Sequence, residues 1–136
     1  MVLDWQGNYR FIGKNEKGLS INFDMPILNS GEETTLSPME TVLASLAACS
    51  SYDVVLILRK KRQDVSSYSV EMEADRRDEP PRVFTRIHLK YIIKGKDISK
   101  KAVEDAIQLS EEKYCSVAGM LEKAVKITSS YEILEE

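Results

Sequence analysis

The sequence predicts an α+β fold, a mostly antiparallel sheet covered by two long helices. Three observations carry that expectation. Apolar residues alternate with polar ones over 68–74, 83–93 and 127–133, the period of a half-buried strand. They recur at helical spacing over 37–62 and 99–113. The elements follow one another as ββ–α–ββ–α–β with no internal repeat, a segregated rather than alternating order. The chain has 136 residues, of which 43% are apolar. That length predicts one domain spanning 1–136, large enough to bury a core without a disulfide or metal staple.

Taken in order, residues 2–12 and 18–24 read as two strands joined by a turn over Gly13-Lys14-Asn15-Glu16-Lys17-Gly18. Asn29 to Thr35 is polar, contains Gly31, and reads as a loop. Ser37-Pro38-Met39-Glu40 is a complete helix start. Ser37 caps, Pro38 suits the first helical position, and Glu40, three after the cap, completes a capping box. This helix is predicted to reach about Arg62 and, with few charges between Glu40 and Arg59, to be largely buried. Tyr68, Val70, Met72 and Ala74 share one strand face, Val83, Ile87, Leu89, Tyr91 and Ile93 a second, and Ile127, Tyr131 and Ile133 a third. Asp78-Glu79-Pro80-Pro81-Arg82 forms a turn between the first two, because neither a helix nor a central strand accommodates the prolines. Ala102, Val103, Ala106, Ile107 and Ser110 line one face of the second helix, and a short helix over 116–123 follows.

Composition excludes several classes. Residues 41–58 are interrupted by Ser45, Cys49, Ser50, Ser51 and Asp53, so no run of 18 apolar residues exists and no membrane span is expected. The first fifteen residues lack the apolar core of an export signal, which predicts a cytoplasmic protein with reduced cysteines. Residues 59–101 carry 13 basic and 7 acidic side chains within a chain of net charge −3. That surplus reads as solvated faces rather than a nucleic-acid footprint. Arg59-Lys60-Lys61-Arg62 suits the carbonyl end of a helix, and Arg86, Lys90 and Lys94 lie on the polar side of a strand. Two cysteines and one histidine do not make a zinc site of the usual kind, and no glycine-rich phosphate loop opens a helix. His88 falls opposite the apolar stripe of its strand and reads as a surface histidine.

Cys49 lies mid-helix in Leu46-Ala47-Ala48-Cys49-Ser50-Ser51, and Cys115 lies in Glu112-Lys113-Tyr114-Cys115-Ser116-Val117 at the junction of the last two helices. Two readings stand. Both are small buried hydrophobes, or both are reactive thiols, since their small and hydroxylic neighbours leave room for an approaching group. On local physics Cys115, at a helix start, is better placed for a depressed pKa, whereas Asp53 four residues on opposes a Cys49 thiolate.

The segment Ser37-Pro38-Met39-Glu40-Thr41-Val42-Leu43-Ala44-Ser45-Leu46-Ala47-Ala48-Cys49 resembles the signature of the OsmC/Ohr family of thiol-dependent peroxide-detoxifying proteins. Glu111-Glu112-Lys113-Tyr114-Cys115-Ser116-Val117 is similar to its second cysteine segment, and Pro80-Pro81-Arg82-Val83-Phe84 before an alternating strand also fits. The resemblance spans about residues 2–134 and is closest to the small OsmC-like branch. It departs at Ser116, where many relatives have proline. It implies an OsmC-like fold and an intertwined homodimer with sites at the subunit interface. It also implies a metal- and flavin-free peroxidase for organic hydroperoxides or hydrogen peroxide, with no cofactor. In that scheme Cys49 forms a sulfenic acid, Cys115 resolves it as a disulfide, and an external dithiol reduces the pair. Glu40 matches a glutamate that positions an arginine, for which Arg10 is the candidate as the only arginine before the helix. The alternative is a non-enzymatic protein of this fold that binds a small apolar ligand in the interface pocket. The two-cysteine peroxidase scheme requires the two sulfurs, 66 positions apart, to approach closely.

Overall fold

A computed structural model of the chain describes residues 1–25 and 34–136. The elements are β1 (Val2–Trp5), β2 (Arg10–Lys14), β3 (Ser20–Asp24), α1 (Pro38–Lys60), β4 (Asp64–Arg76), β5 (Phe84–Lys96), α2 (Lys100–Leu109), a π-helical turn (Ser110–Tyr114), α3 (Ser116–Leu121) and β6 (Lys126–Glu135). The α+β class is as expected, but the strands form two three-stranded sheets, β1-β2-β3 and β4-β5-β6, instead of one. The chain divides into two compact units, Met1–Ala44 and Ser45–Glu136. Gly31 and most of the loop expected at 29–35 lie outside the described residues.

In the first unit the strand expected over 2–12 is two strands. Gly7 at φ +92° and Asn8 at φ +50° turn the chain back, and the Arg10 N–H donates to the Gly7 carbonyl at 3.1 Å. The following hairpin is closed by Asn15, whose Oδ1 accepts the Lys17 and Leu19 N–H groups at 3.0 Å each. The capping box forms as predicted. Glu40 N–H donates to Ser37 Oγ and Ser37 N–H donates to Glu40 Oε1, both at 3.1 Å.

In the second unit β5 is the central strand, antiparallel to β4 and parallel to β6. The parallel pairing follows from the connection, since α2, the π-turn and α3 carry the chain across before β6 begins. Ile87, Leu89, Tyr91 and Ile93 of β5 pack with Leu46, Val54 and Leu58 of α1 and Val103 and Ala106 of α2 as the core. Gly95 is required where β4 begins, because a Cβ there would lie 2.1 Å from the Asp64 carbonyl oxygen.

Three expectations need correction. First, α1 is not largely buried. Leu46, Ala47, Ser50, Val54 and Leu58 are buried, while Tyr52, Val55 and Leu56 are exposed, since one sheet covers only one helical stripe. Second, by length and composition α1 is apolar enough to cross a membrane, contrary to the count of unbroken apolar residues, although one face of it is this unit's core. Third, the helix stops at Lys60 rather than at Arg62. Arg62 takes a left-handed conformation (φ +56°), its N–H donates to the Arg59 carbonyl at 2.9 Å, and the Gln63 N–H donates to the Leu58 carbonyl at 3.0 Å.

The other face of the second sheet is polar. Arg86 pairs with Asp75 at 2.8 Å and Lys90 with Glu132 at 3.0 Å, while the His88 ring meets Thr128 Oγ1 at 2.7 Å and Ser130 Oγ at 2.8 Å. Much of the basic surplus of 59–101 is therefore met by neighbouring carboxylates.

Candidate functional site

Cys49 lies half-buried in the middle of α1, and Cys115 lies buried between the π-turn and α3. The fold brings them near one another, close enough that Cys49 bears on the ionisation of the Cys115 thiol. Both are free thiols. Cys115 also caps α3, its Sγ accepting the Ala118 N–H at 3.4 Å. The expected depressed pKa at this helix start is not found. Burial pushes the Cys115 thiol up to about 11, the Ala118 N–H works against that, and the neighbouring Cys49 adds to the rise. Cys115 is only 4% exposed, and a six-residue helix offers a weak dipole against such desolvation.

Four polar groups behind the cysteines form a chain. Tyr91 OH lies 2.5 Å from Ser50 Oγ, Ser50 Oγ lies 3.0 Å from Ser110 Oγ, and Ser110 Oγ lies 3.1 Å from Asp53 Oδ2. Ser50 follows Cys49 on α1. Ser110 opens the π-turn, and its carbonyl accepts the Cys115 N–H at 2.7 Å. Burial raises the Tyr91 pKa, with the Ser50 contact opposing it. Nearby, burial also raises the Glu111 pKa, and its buried Oε1 has no hydrogen-bond partner among the described residues.

The remaining expected site residues lie in the first unit. Arg10 Nε donates to Asp24 Oδ2 at 3.3 Å from a largely exposed side chain. Among the described residues, Arg10 finds its ion pair in Asp24 and Glu40 is engaged with Ser37. The structure thus brings the two cysteines near one another and does not pair Glu40 with Arg10.

Sequence reasoning missed Ser50, Tyr91 and Ser110 as site residues. A signal was present, because each is a hydroxyl on the apolar face of its element, where an unpaired polar group is costly and a partner must exist. On the exposed side of α1, an open, largely apolar groove of about 440 Å³ is lined by Ala48, Ser51, Tyr52, Val55, Leu56 and Tyr68, with Arg59 as its one charged residue. Tyr68 OH donates to Ser51 Oγ there at 2.9 Å.

The OsmC-like protein family model matches residues 31–130. Protein YhfA of Escherichia coli strain K12 is 48% identical over 130 residues, covering 96% of this chain and 94% of that protein. A hypothetical protein from Aquifex aeolicus VF5, solved by crystallography, is 33% identical with a TM-score of 0.85, over 99% of this chain and 95% of that one. The organic hydroperoxide resistance protein OhrB of Bacillus subtilis shares the fold at a TM-score of 0.63 and 16% identity, over 96% of each chain.

Proposed function

The chain belongs to the OsmC-like protein family, and from that premise we propose that it is a thiol-dependent peroxidase whose working pair is Cys49 and Cys115. The observation that carries the reading is the proximity of two free thiols that are 66 positions apart in sequence. In the first step the Cys49 thiolate attacks the outer peroxide oxygen. The O–O bond breaks, an alcohol or water leaves, and Cys49 becomes a sulfenic acid. In the second, the Cys115 sulfur attacks that sulfenic sulfur, the S–S bond forms, the S–O bond breaks, and the departing hydroxide takes the thiol proton to leave as water. An external dithiol then supplies two electrons and two protons and restores both thiols.

Burial, which disfavours a Cys115 thiolate, supports Cys49 as the attacking sulfur and Cys115 as the resolving one. Members of this fold bear the name organic hydroperoxide resistance protein, which favours organic hydroperoxides beside hydrogen peroxide as substrates. The cytoplasm, where dithiol reductants are plentiful, is the compartment that suits this cycle.

The test is to add one equivalent of cumene hydroperoxide or hydrogen peroxide to the reduced protein and count free thiols. Loss of two thiols per chain with release of one alcohol or water supports the cycle, and unchanged thiols and peroxide overturn it. The apolar groove beside Ala48 and Tyr52 favours a second reading, a non-enzymatic binder of a small apolar ligand. That reading predicts binding of an apolar fluorophore with peroxide left untouched.

A further inference from the structure

We infer that the hydroxyl chain from Tyr91 through Ser50 and Ser110 to Asp53 is the device that holds the two thiols in bonding register, and so sets how readily the disulfide closes. This rests on the two-cysteine reading above and names three hydroxyl residues as its positioning residues.

Donor counting gives the chain a direction. A hydroxyl has one proton to donate, and a carboxylate only accepts. With Asp53 as the end acceptor, Ser110 donates to Asp53 Oδ2 at 3.1 Å, Ser50 donates to Ser110 Oγ at 3.0 Å, and Tyr91 donates to Ser50 Oγ at 2.5 Å. Ser50 and Ser110 are then each both donor and acceptor, Tyr91 donates at the head of the chain, and successive bonds polarise one another. Tyr91, Ser50 and Ser110 are each 0–1% exposed, so no water stands by to replace a lost partner.

The chain touches the backbone on both sides of the thiol pair. Ser50 is the residue after Cys49. The Ser110 hydroxyl proton is shared between Asp53 Oδ2 and the Ser50 carbonyl oxygen, which lies at 3.2 Å, and the Ser110 carbonyl accepts the Cys115 N–H at 2.7 Å across the π-turn. The path from Cys49 to Cys115 thus runs Cys49–Ser50, across to Ser110, and through one backbone hydrogen bond to Cys115. Tyr91 fixes the crossing to the central strand. The two thiols themselves stand near one another at the far end of this brace.

Disulfide closure needs Cα atoms within about 7 Å and matched side-chain directions. A brace that restrains both cysteines before reaction raises the effective concentration of one thiol at the other. Without it, the Cys49 sulfenic acid waits longer for Cys115 and meets a second peroxide, which carries it to the sulfinic acid.

The experiment measures closure separately from peroxide chemistry. Wild type, Ser110→Ala, Ser110→Thr and Tyr91→Phe are oxidised with diamide, equilibrated against reduced and oxidised dithiothreitol, alkylated and weighed intact. The closing equilibrium constant is expected to fall tenfold or more in Ser110→Ala and about threefold in Tyr91→Phe, with Ser110→Thr restoring most of it. Under excess cumene hydroperoxide, the ratio of sulfinate to disulfide should rise in the same order. Constants within twofold of wild type in both Ser110→Ala and Tyr91→Phe overturn the inference, whatever their thermal stability. Should Ser110→Ala fail to fold, Tyr91→Phe, which keeps the ring, decides alone. A wild-type protein that ignores peroxide yet closes with diamide removes the peroxidase reading and leaves this one to the dithiothreitol constants. A wild type that closes under neither oxidant overturns both.

Discussion

A buried thiol that remains protonated at neutral pH must lose its proton before it can close a disulfide, so pH should report on Cys115 directly. Its pKa is raised from 9.0 to about 11, chiefly by burial. Below that value each unit of pH increases the thiolate fraction about tenfold, and the closing step should accelerate accordingly. Stopped-flow tryptophan or thiol readouts between pH 7 and 10 would show it, and a flat profile would remove the Cys115 thiolate from the rate-limiting step. The same shift has a stability sign. The folded state disfavours the charged form, so the contribution is complete below pH 9 and is lost as pH rises toward 11. Cys115→Ser should remove that decline from urea midpoints. Tyr68, pushed up to about 12 by burial, adds its own loss at higher pH, which makes the difference between variants the quantity to read. Glu111 follows the same logic in acid. Burial raises its pKa above 4.5, so its contribution is complete below 4.5 and shrinks as pH rises through the folded value. Glu111→Gln should match wild type near pH 4 and exceed it in urea midpoint at pH 7. At this scale the two cysteines were legible because chemistry marks them. The raised pKa of Cys115 was not, because burial in the fold outweighs the local helix start.

Single elements carry two further tests. The π-turn places Cys115 by widening one helical turn, with the Cys115 N–H reaching back five residues to the Ser110 carbonyl at 2.7 Å. Deleting the exposed Glu112 should convert it to an α-turn and rotate Cys115 by roughly 100° relative to α2. Circular dichroism should change little while disulfide closure is lost, whereas an intact closing reaction would show that the wide turn has no positioning role. At the end of α1, Arg62 sits at the left-handed position that glycine occupies without a steric cost. Arg62→Gly should therefore raise stability by about 0.5–1 kcal/mol in denaturant melts, the scale of the left-handed penalty. The start of α1 was legible to the residue, since Ser37, Pro38 and Glu40 each act locally. Its end was not, because nothing in Arg59-Lys60-Lys61-Arg62 announces a residue with positive φ. The same limit explains the strands. Alternation located β4, β5 and β6, yet the split into two sheets and the parallel β5–β6 pairing are long-range outcomes that no local pattern encodes. The π-turn was read as continuous helix because its apolar spacing, through Ser110, still fits one.

For the whole molecule, apolar surface exposed among the described residues is the feature that calls for explanation. Tyr52, Val55 and Leu56 stand out from α1 in the second unit, and Val2, Leu3 and Trp5 are exposed on β1 in the first. Clusters of this kind on a small protein mark interaction sites, and a second copy of the chain is the occupant that the family resemblance implies. Sedimentation should accordingly give a homodimer, with Leu56→Lys shifting it toward monomer. Helix geometry then bears on where a working site is assembled. Glu40 and Cys49 lie nine residues apart on α1, which is about 13.5 Å along the axis and half a turn out of phase. One straight helix therefore does not aim both side chains at one substrate. If Glu40 acts on a Cys49 thiolate through a cation, the simplest arrangement supplies it from the partner subunit. Its carboxylate already closes the capping box on Ser37, so such a role would share one side chain between two tasks. Mixing Glu40→Ala protein with Cys49→Ser protein separates the cases. Each homodimer should be impaired in peroxide consumption, and mixed dimers should regain one competent site built from an intact Glu40 and an intact Cys49 on different chains. Half of the mixed dimer's sites would then turn over at the wild-type rate. Mixed dimers verified by native mass spectrometry that recover nothing would leave Glu40 as a helix cap, with a stability cost of about 1 kcal/mol for Glu40→Ala as its whole effect.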